Sequence, residues 1–111
     1  EEALRLANQA VQATPESSPA MIHVLDTRAW VYYHMGRYNE AEKDAVDGER
    51  MAGNLLKEGL LFEEDIKDHY YHLGEIYRHL NKLELARQMF QKALRIDRNF
   101  NEALEGLRKL P

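Results

Sequence analysis

Residues 67–100 read KDHYYHLGEIYRHLNKLELARQMFQKALRIDRNF. Tyr70, Leu73, Gly74 and Tyr77 recur at the spacing of one helical face. After Asn81-Lys82 the rhythm resumes with Ala86, Phe90 and Ala93. The stretch therefore predicts two helices joined by a tight turn. The small residues Gly74, Ala86 and Ala93 allow the helices to approach closely, and Tyr70, Tyr77 and Phe90 fill the space around them. A weaker copy lies 45 residues earlier: Leu25, Arg28, Ala29 and Tyr32, then Ala41, Ala45 and Gly48. An internal repeat of this kind implies stacked helical pairs, and such arrays mostly offer surfaces for binding.

Working outward, about six helices are expected and no strand, because nothing alternates with period two. The first spans residues 1–14, with Ala3, Leu4, Ala7, Ala10 and Val11 on one face, and stops at Pro15. A second runs from about Ala20 to Met35, with Ser18 as N-cap, Pro19 at the first helical position and Gly36 just past its end. Asn39 is expected to cap a third helix from Glu40, with Glu42 completing a capping box. That helix contains Gly48 and Gly53, each costing about 1 kcal/mol in an interior, and it is ended near Lys57 with Gly59 beyond. Leu60-Leu61-Phe62 forms an apolar bridge. A fourth helix is expected over 63–80, its first turn rich in Glu63, Glu64 and Asp65. A fifth spans 83–96, and a last runs from 101 to 110 with Phe100, Ala103, Leu104, Leu107 and Leu110 on one stripe.

The chain has 111 residues, 44% apolar and 31% charged, with a net charge of -4. The acidic balance argues against a nucleic-acid partner. No apolar run approaches the ~20 residues of a membrane span, so no membrane association is expected. The absence of cysteine excludes disulfides and thiolate metal sites without deciding the compartment. A cytoplasmic setting is expected ahead of a periplasmic one. The chain starts inside a helical pattern without Met and reads as a segment of a longer protein.

Laid out in this way, the chain resembles the tetratricopeptide repeat family, whose 34-residue unit reads W-x2-L-G-x2-Y, then A-x3-F, then P. Residues 67–100 follow it closely, with Tyr70 in the Trp position and Arg98 in place of the Pro. Residues 22–55 follow it more loosely: Arg28 replaces the Leu, Ala45 the aromatic and Gly48 the Ala. The resemblance implies an all-α, right-handed α-α superhelix of helical hairpins, in one domain over 1–111. Residues 1–15 would be the second helix of a preceding repeat, 20–57 and 63–98 the two repeats, and 101–110 a capping helix. The 45-residue shift is then one 34-residue period plus an eleven-residue insert, almost three helical turns.

The resemblance also implies where a partner would bind. In this family the first helix of each repeat lines the concave face. The corresponding positions are His23, Asp26, Thr27, Trp30, Tyr33 and His34 in one helix, and Asp68, Tyr71, His72, Glu75, Arg78 and His79 in the other. Trp, Tyr and Arg are enriched in binding hot spots. The expected function is a non-catalytic protein-interaction module or scaffold, with a peptide or partner helix held in the groove. Against it stands the reading that Trp30 and Tyr33 simply pack against a neighbouring helix or the Leu60-Leu61-Phe62 insert. A carboxylate clamp for chaperone tails is not expected, because Asp26 and Trp30 stand where it needs Lys and Asn.

His72, Glu75 and His79 fall on one face and suit a metal in residue type, yet no H-E-x-x-H motif is present, and neither a metal nor a cofactor is expected. No nucleophile elbow or phosphate loop is visible, so no enzyme is expected. The alternative function is a structural or self-associating segment that positions other domains of a larger protein. Exposed terminal helices would allow a homodimer.

Overall fold

The computed structural model describes residues 1–111 and consists of six α-helices and one 3₁₀ turn, without strands. The order is α1 (Glu2–Ala13), α2 (Ala20–His34), α3 (Tyr38–Lys57), the 3₁₀ turn (Glu63–Ile66), α4 (Lys67–His79), α5 (Leu83–Ile96) and α6 (Asn101–Arg108). They form two compact units, Glu1–Leu61 and Phe62–Pro111. In the first, α2 pairs with α3 and α1 packs on α2; in the second, α4 pairs with α5 and α6 packs on both.

Each helical pair turns in the same way. At the end of α2, Gly36 has φ 78°, and its N–H donates to the Tyr33 carbonyl while that of Arg37 donates to the Tyr32 carbonyl. At the end of α4, Asn81 has φ 61°, its N–H reaches the Arg78 carbonyl and that of Lys82 the Tyr77 carbonyl. Both are Schellman closures, and Asn is the side chain that best tolerates this left-handed position when Gly is absent. The next residue enters the following helix with nearly the same dihedrals: φ −93°, ψ 71° at Arg37 and φ −94°, ψ 69° at Lys82.

This closure corrects the expected start of α3. The helix begins at Tyr38, and the carbonyl of Arg37 already accepts the N–H of Ala41. Asn39 therefore lies inside the first turn, and an Arg37–Glu40 ion pair stands in place of the expected Asn39–Glu42 box. At α2 the Oγ of Ser18 accepts the N–H of Ala20 at 3.1 Å, and Pro19 has helical dihedrals. The fourth helix is also shorter than expected. Residues Glu63–Ile66 wind as a tighter 3₁₀ turn, which leaves Glu63, Glu64 and Asp65 exposed while Ile66 is fully buried. Leu60 and Phe62 are 63% and 78% exposed, so neither is packed into the core of its own unit.

The core of the second unit is built on Phe90, which is fully buried. A Cβ on Gly74 of α4 would lie 2.6 Å from its ring, and a Cβ on Gly106 of α6 would lie 2.5 Å from it. The ring thus occupies the space that both glycines leave. Ala86, Ala93 and Ala103 are fully buried nearby in sequence, and Leu73, Ile76, Tyr77 and Met89 complete the apolar face. On α6 the inward residues are Ala103 and Gly106, with Leu110 buried just beyond its end, while Leu104 is 37% exposed.

The first unit fills the equivalent space differently. Ala45 stands where Phe90 stands 45 residues later, and Arg28 and Asp44 stand where Leu73 and Met89 do. Arg28 makes a bidentate pair with Asp44, Nε–Oδ2 at 2.6 Å and Nη2–Oδ1 at 2.8 Å. Its Nη1 also donates to Asn8 Oδ1 at 3.3 Å, so one guanidinium ties α1, α2 and α3. Hydrogen bonding to Asp44, against some loss of solvation, raises the Arg28 pKa further. Fully or nearly buried Ile22, Ala29, Ala41 and Ala52 form the apolar remainder.

Gly74→Ala and Gly106→Ala each remove a poor helix former, yet each forces the confined Phe90 ring to move; both are expected to lower stability by about 1–2 kcal/mol. Gly53→Ala, which meets nothing within 4 Å, is expected to raise it by about 1 kcal/mol. Urea denaturation followed by far-UV circular dichroism checks all three. Arg28→Leu strands the carboxylate of Asp44, whose side chain is only 4% exposed, and is expected to cost about 2–4 kcal/mol. The double variant Arg28→Leu/Asp44→Met, which copies the second unit, is expected to recover most of that loss. The fluorescence of Trp30, the single tryptophan, reports unfolding of this unit alone.

Candidate functional site

On α2 the side chains divide cleanly. Met21, Ile22, Leu25 and Ala29 are buried against the rest of the unit. The opposite stripe carries His23, Asp26, Thr27, Trp30, Tyr33 and His34, at steps of three and four. His23, Thr27 and His34 are exposed, and Asp26, Trp30 and Tyr33 are half-buried. Trp30 and Tyr33 stack face to face, with centroids 4.4 Å apart and planes 1° apart. His34 meets both rings edge-on, at 4.9 Å and 5.2 Å. Tyr38, from the start of α3, joins the cluster at 5.7 Å from Tyr33. The pattern of the repeat did not single out Tyr38; its aromatic type directly after the turn was the available signal.

The matching stripe of α4 is more closed. Tyr71 packs against Phe90 at 6.2 Å and Phe100 at 5.6 Å, so α5 and the N-terminal end of α6 cover part of it. Burial, with Glu75 and Glu102 nearby, pushes its phenol above the usual tyrosine range. Glu75 is 5% exposed and accepts two hydrogen bonds from Arg78, at 3.2 Å and 3.0 Å. The ring of His79 lies with Nδ1 3.1 Å from the Glu75 carbonyl oxygen. Asp68 and His79 are exposed and His72 is half-buried.

The His72, Glu75 and His79 face does not assemble as a ligand set. The Glu75 carboxylate is engaged by Arg78, and no cluster of three or more His, Asp or Glu side chains is arranged to hold a metal ion.

The two stripes thus sit at corresponding places in two hairpins with the same turn. Two family models, both described as tetratricopeptide repeat, match residues 68–100 and 22–48. The chain belongs to the tetratricopeptide repeat family. The two matches together cover more than half of it. No curated protein and no solved structure matches the chain. Tetratricopeptide repeats are generally protein-interaction modules, and no helix of this chain is long and apolar enough to cross a membrane.

The repeat pattern does not mark the ion pair of the first repeat. Arg28 in a Leu slot was visible as a departure, but its partner Asp44 lies 16 residues away on the other helix. The signal was two charges at two positions that are apolar 45 residues later, and it is read only by comparing the copies.

Proposed function

We propose that this chain is a non-catalytic protein-interaction module whose principal contact surface is the α2 stripe: His23, Asp26, Trp30, Tyr33 and His34. The observation that carries this reading is the Trp30–Tyr33 stack. It lies away from the buried face of α2 and is only partly buried, and rigid aromatic area of this kind is enriched in binding hot spots. On α4 the contact role falls to His72, Arg78 and His79. Tyr71 and Glu75 support them from beneath, because one is wedged against Phe90 and Phe100 and the other holds Arg78 in place.

A peptide selected by display against the intact chain tests this. Trp30→Ala is expected to weaken its binding by at least about 30-fold, the effect of a hot spot of about 2 kcal/mol, with the far-UV circular dichroism unchanged. Unaltered binding, or loss of the helical signal, defeats the reading. Tyr71→Ala is expected to lower stability as well as affinity, which separates the two stripes.

A second reading, self-association through α1, is favoured by one observation: Leu6 is 51% exposed on a helix whose other face packs on α2. Light scattering across protein concentration tests it. A mass that rises with concentration and falls back in Leu6→Glu supports this reading; a constant monomer ends it.

A further inference from the structure

We infer that this chain docks head to tail on a second copy of itself, with Phe62 of one copy seated in a cleft of the next. The contact uses neither the α2 stripe nor Leu6 of α1. The cleft lies in the first unit, where α3 outruns the pattern of the repeat. Its counterpart α5 ends at Ile96, the position of Met51 in the first copy, yet α3 continues to Lys57. The added length faces the turn between α1 and α2. Met51, Asn54 and Leu55 of α3, with Ser17 and Ser18 of that turn, line an open cleft of about 170 Å³. Met51 and Leu55 are half-buried and give it an apolar floor. An apolar cavity of about 150 Å³ takes a benzene ring.

The same chain carries a ring that has no place in its own core. Phe62 is 78% exposed, although it stands on a well-defined turn. The N–H of Asp65 donates to its carbonyl at 3.0 Å, and Ile66 is fully buried. Behind the ring come Glu63, Glu64 and Asp65, all exposed. An apolar anchor followed by three carboxylates fits an apolar cleft with a basic edge. Arg50, Asn54 and Lys57 follow one another along α3 at steps of four and three, so a guanidinium and an ammonium flank the Asn54 side of the cleft. Arg50 is held by an exposed pair with Asp47 at 3.3 Å, which is lost at little cost. Glu58 caps the helix, so the charge match belongs to the Arg50–Lys57 edge alone. An exposed apolar side chain and a complementary cleft elsewhere on the same molecule make a heterologous contact, to which each copy brings both halves.

Sedimentation velocity over a concentration series of the intact chain tests this. The mass is expected to rise with concentration. Phe62→Ser, at an exposed position outside the α-helices, is expected to stay monomeric. Leu55→Glu, in the cleft floor, is expected to do the same; Asn54→Glu, at an exposed position on the rim, takes its place if circular dichroism shows Leu55→Glu unfolded. Lys57→Glu is expected to weaken association about fivefold, the size of one exposed ion pair. Leu6→Glu is expected to leave it unchanged.

Mixing separates this contact from a symmetric one. Phe62→Ser keeps its cleft and Leu55→Glu keeps its anchor, so an equimolar mixture of the two is expected to form a one-to-one dimer and stop there. A native chain that stays monomeric overturns the inference. So does self-association of Phe62→Ser, or a mixture that remains monomeric. Association abolished by Leu6→Glu belongs to α1 and overturns it as well.

Discussion

The second repeat depends on one ring having nowhere else to go. Phe90 lies where Gly74 and Gly106 lack a Cβ, with added carbons at either place landing 2.6 Å and 2.5 Å from it. A helix pays about 1 kcal/mol for each glycine, and the fully buried aromatic ring returns more than that, since removing such a ring costs about 3–5 kcal/mol. The same wedge sets the distance between α4, α5 and α6. It also reaches the candidate surface, because Tyr71 rests on Phe90 and Phe100. The α4 stripe is for that reason partly an extension of the core.

The first repeat meets the same geometry without the ring. Ala45 replaces Phe90, and the Arg28–Asp44 pair with its link to Asn8 ties α1, α2 and α3 together. The chemistry of the two solutions differs in direction. Dispersion around Phe90 tolerates small rotations, whereas a bidentate guanidinium–carboxylate pair requires one arrangement. Burying charge is a weak source of net stability. Its effect here is to fix how α1, α2 and α3 meet, since a single guanidinium has partners on two other helices.

Much of this was legible in residues. The spacing of Tyr70, Leu73, Gly74 and Tyr77, then Ala86, Phe90 and Ala93, places two helices and their close approach. Gly36 marks the turn because its φ of 78° is one that side chains other than Asn rarely adopt. What was not legible depends on partners distant in sequence. The inward role of Gly106 needs Phe90 from another helix, and Asp44 becomes a buried carboxylate only once α3 lies on α2. The start of α3 was misplaced for a local reason: Asn39 looks like a cap, but the Schellman closure at Gly36 hands the chain to a helix already begun at Tyr38. The stripe of α2 was proposed from the resemblance to the repeat family; that α4 buries Glu75 in the middle of the equivalent stripe was not legible.

Comparing the stripes position by position shows why the two repeats offer different surfaces. Asp26, Trp30 and Tyr33 of α2 correspond to Tyr71, Glu75 and Arg78 of α4. In α4 the stripe carries the Glu75–Arg78 ion pair, and its aromatic, Tyr71, packs on Phe90 and Phe100; in α2 the stripe carries the aromatics, and the Arg28–Asp44 ion pair lies between α2 and α3. Leaving Trp30 and Tyr33 half-buried forgoes apolar burial at about 25 cal/mol per Å², and the stack recovers only part of it, about 0.5–1.5 kcal/mol for an aromatic pair. Within the first unit Tyr38 and His34 lie against these rings. A partner that covers them regains the remainder at a rigid surface, where little side-chain entropy is lost on binding. The inversion of charge and aromaticity between the two helices is therefore what distinguishes the α2 face from the α4 face.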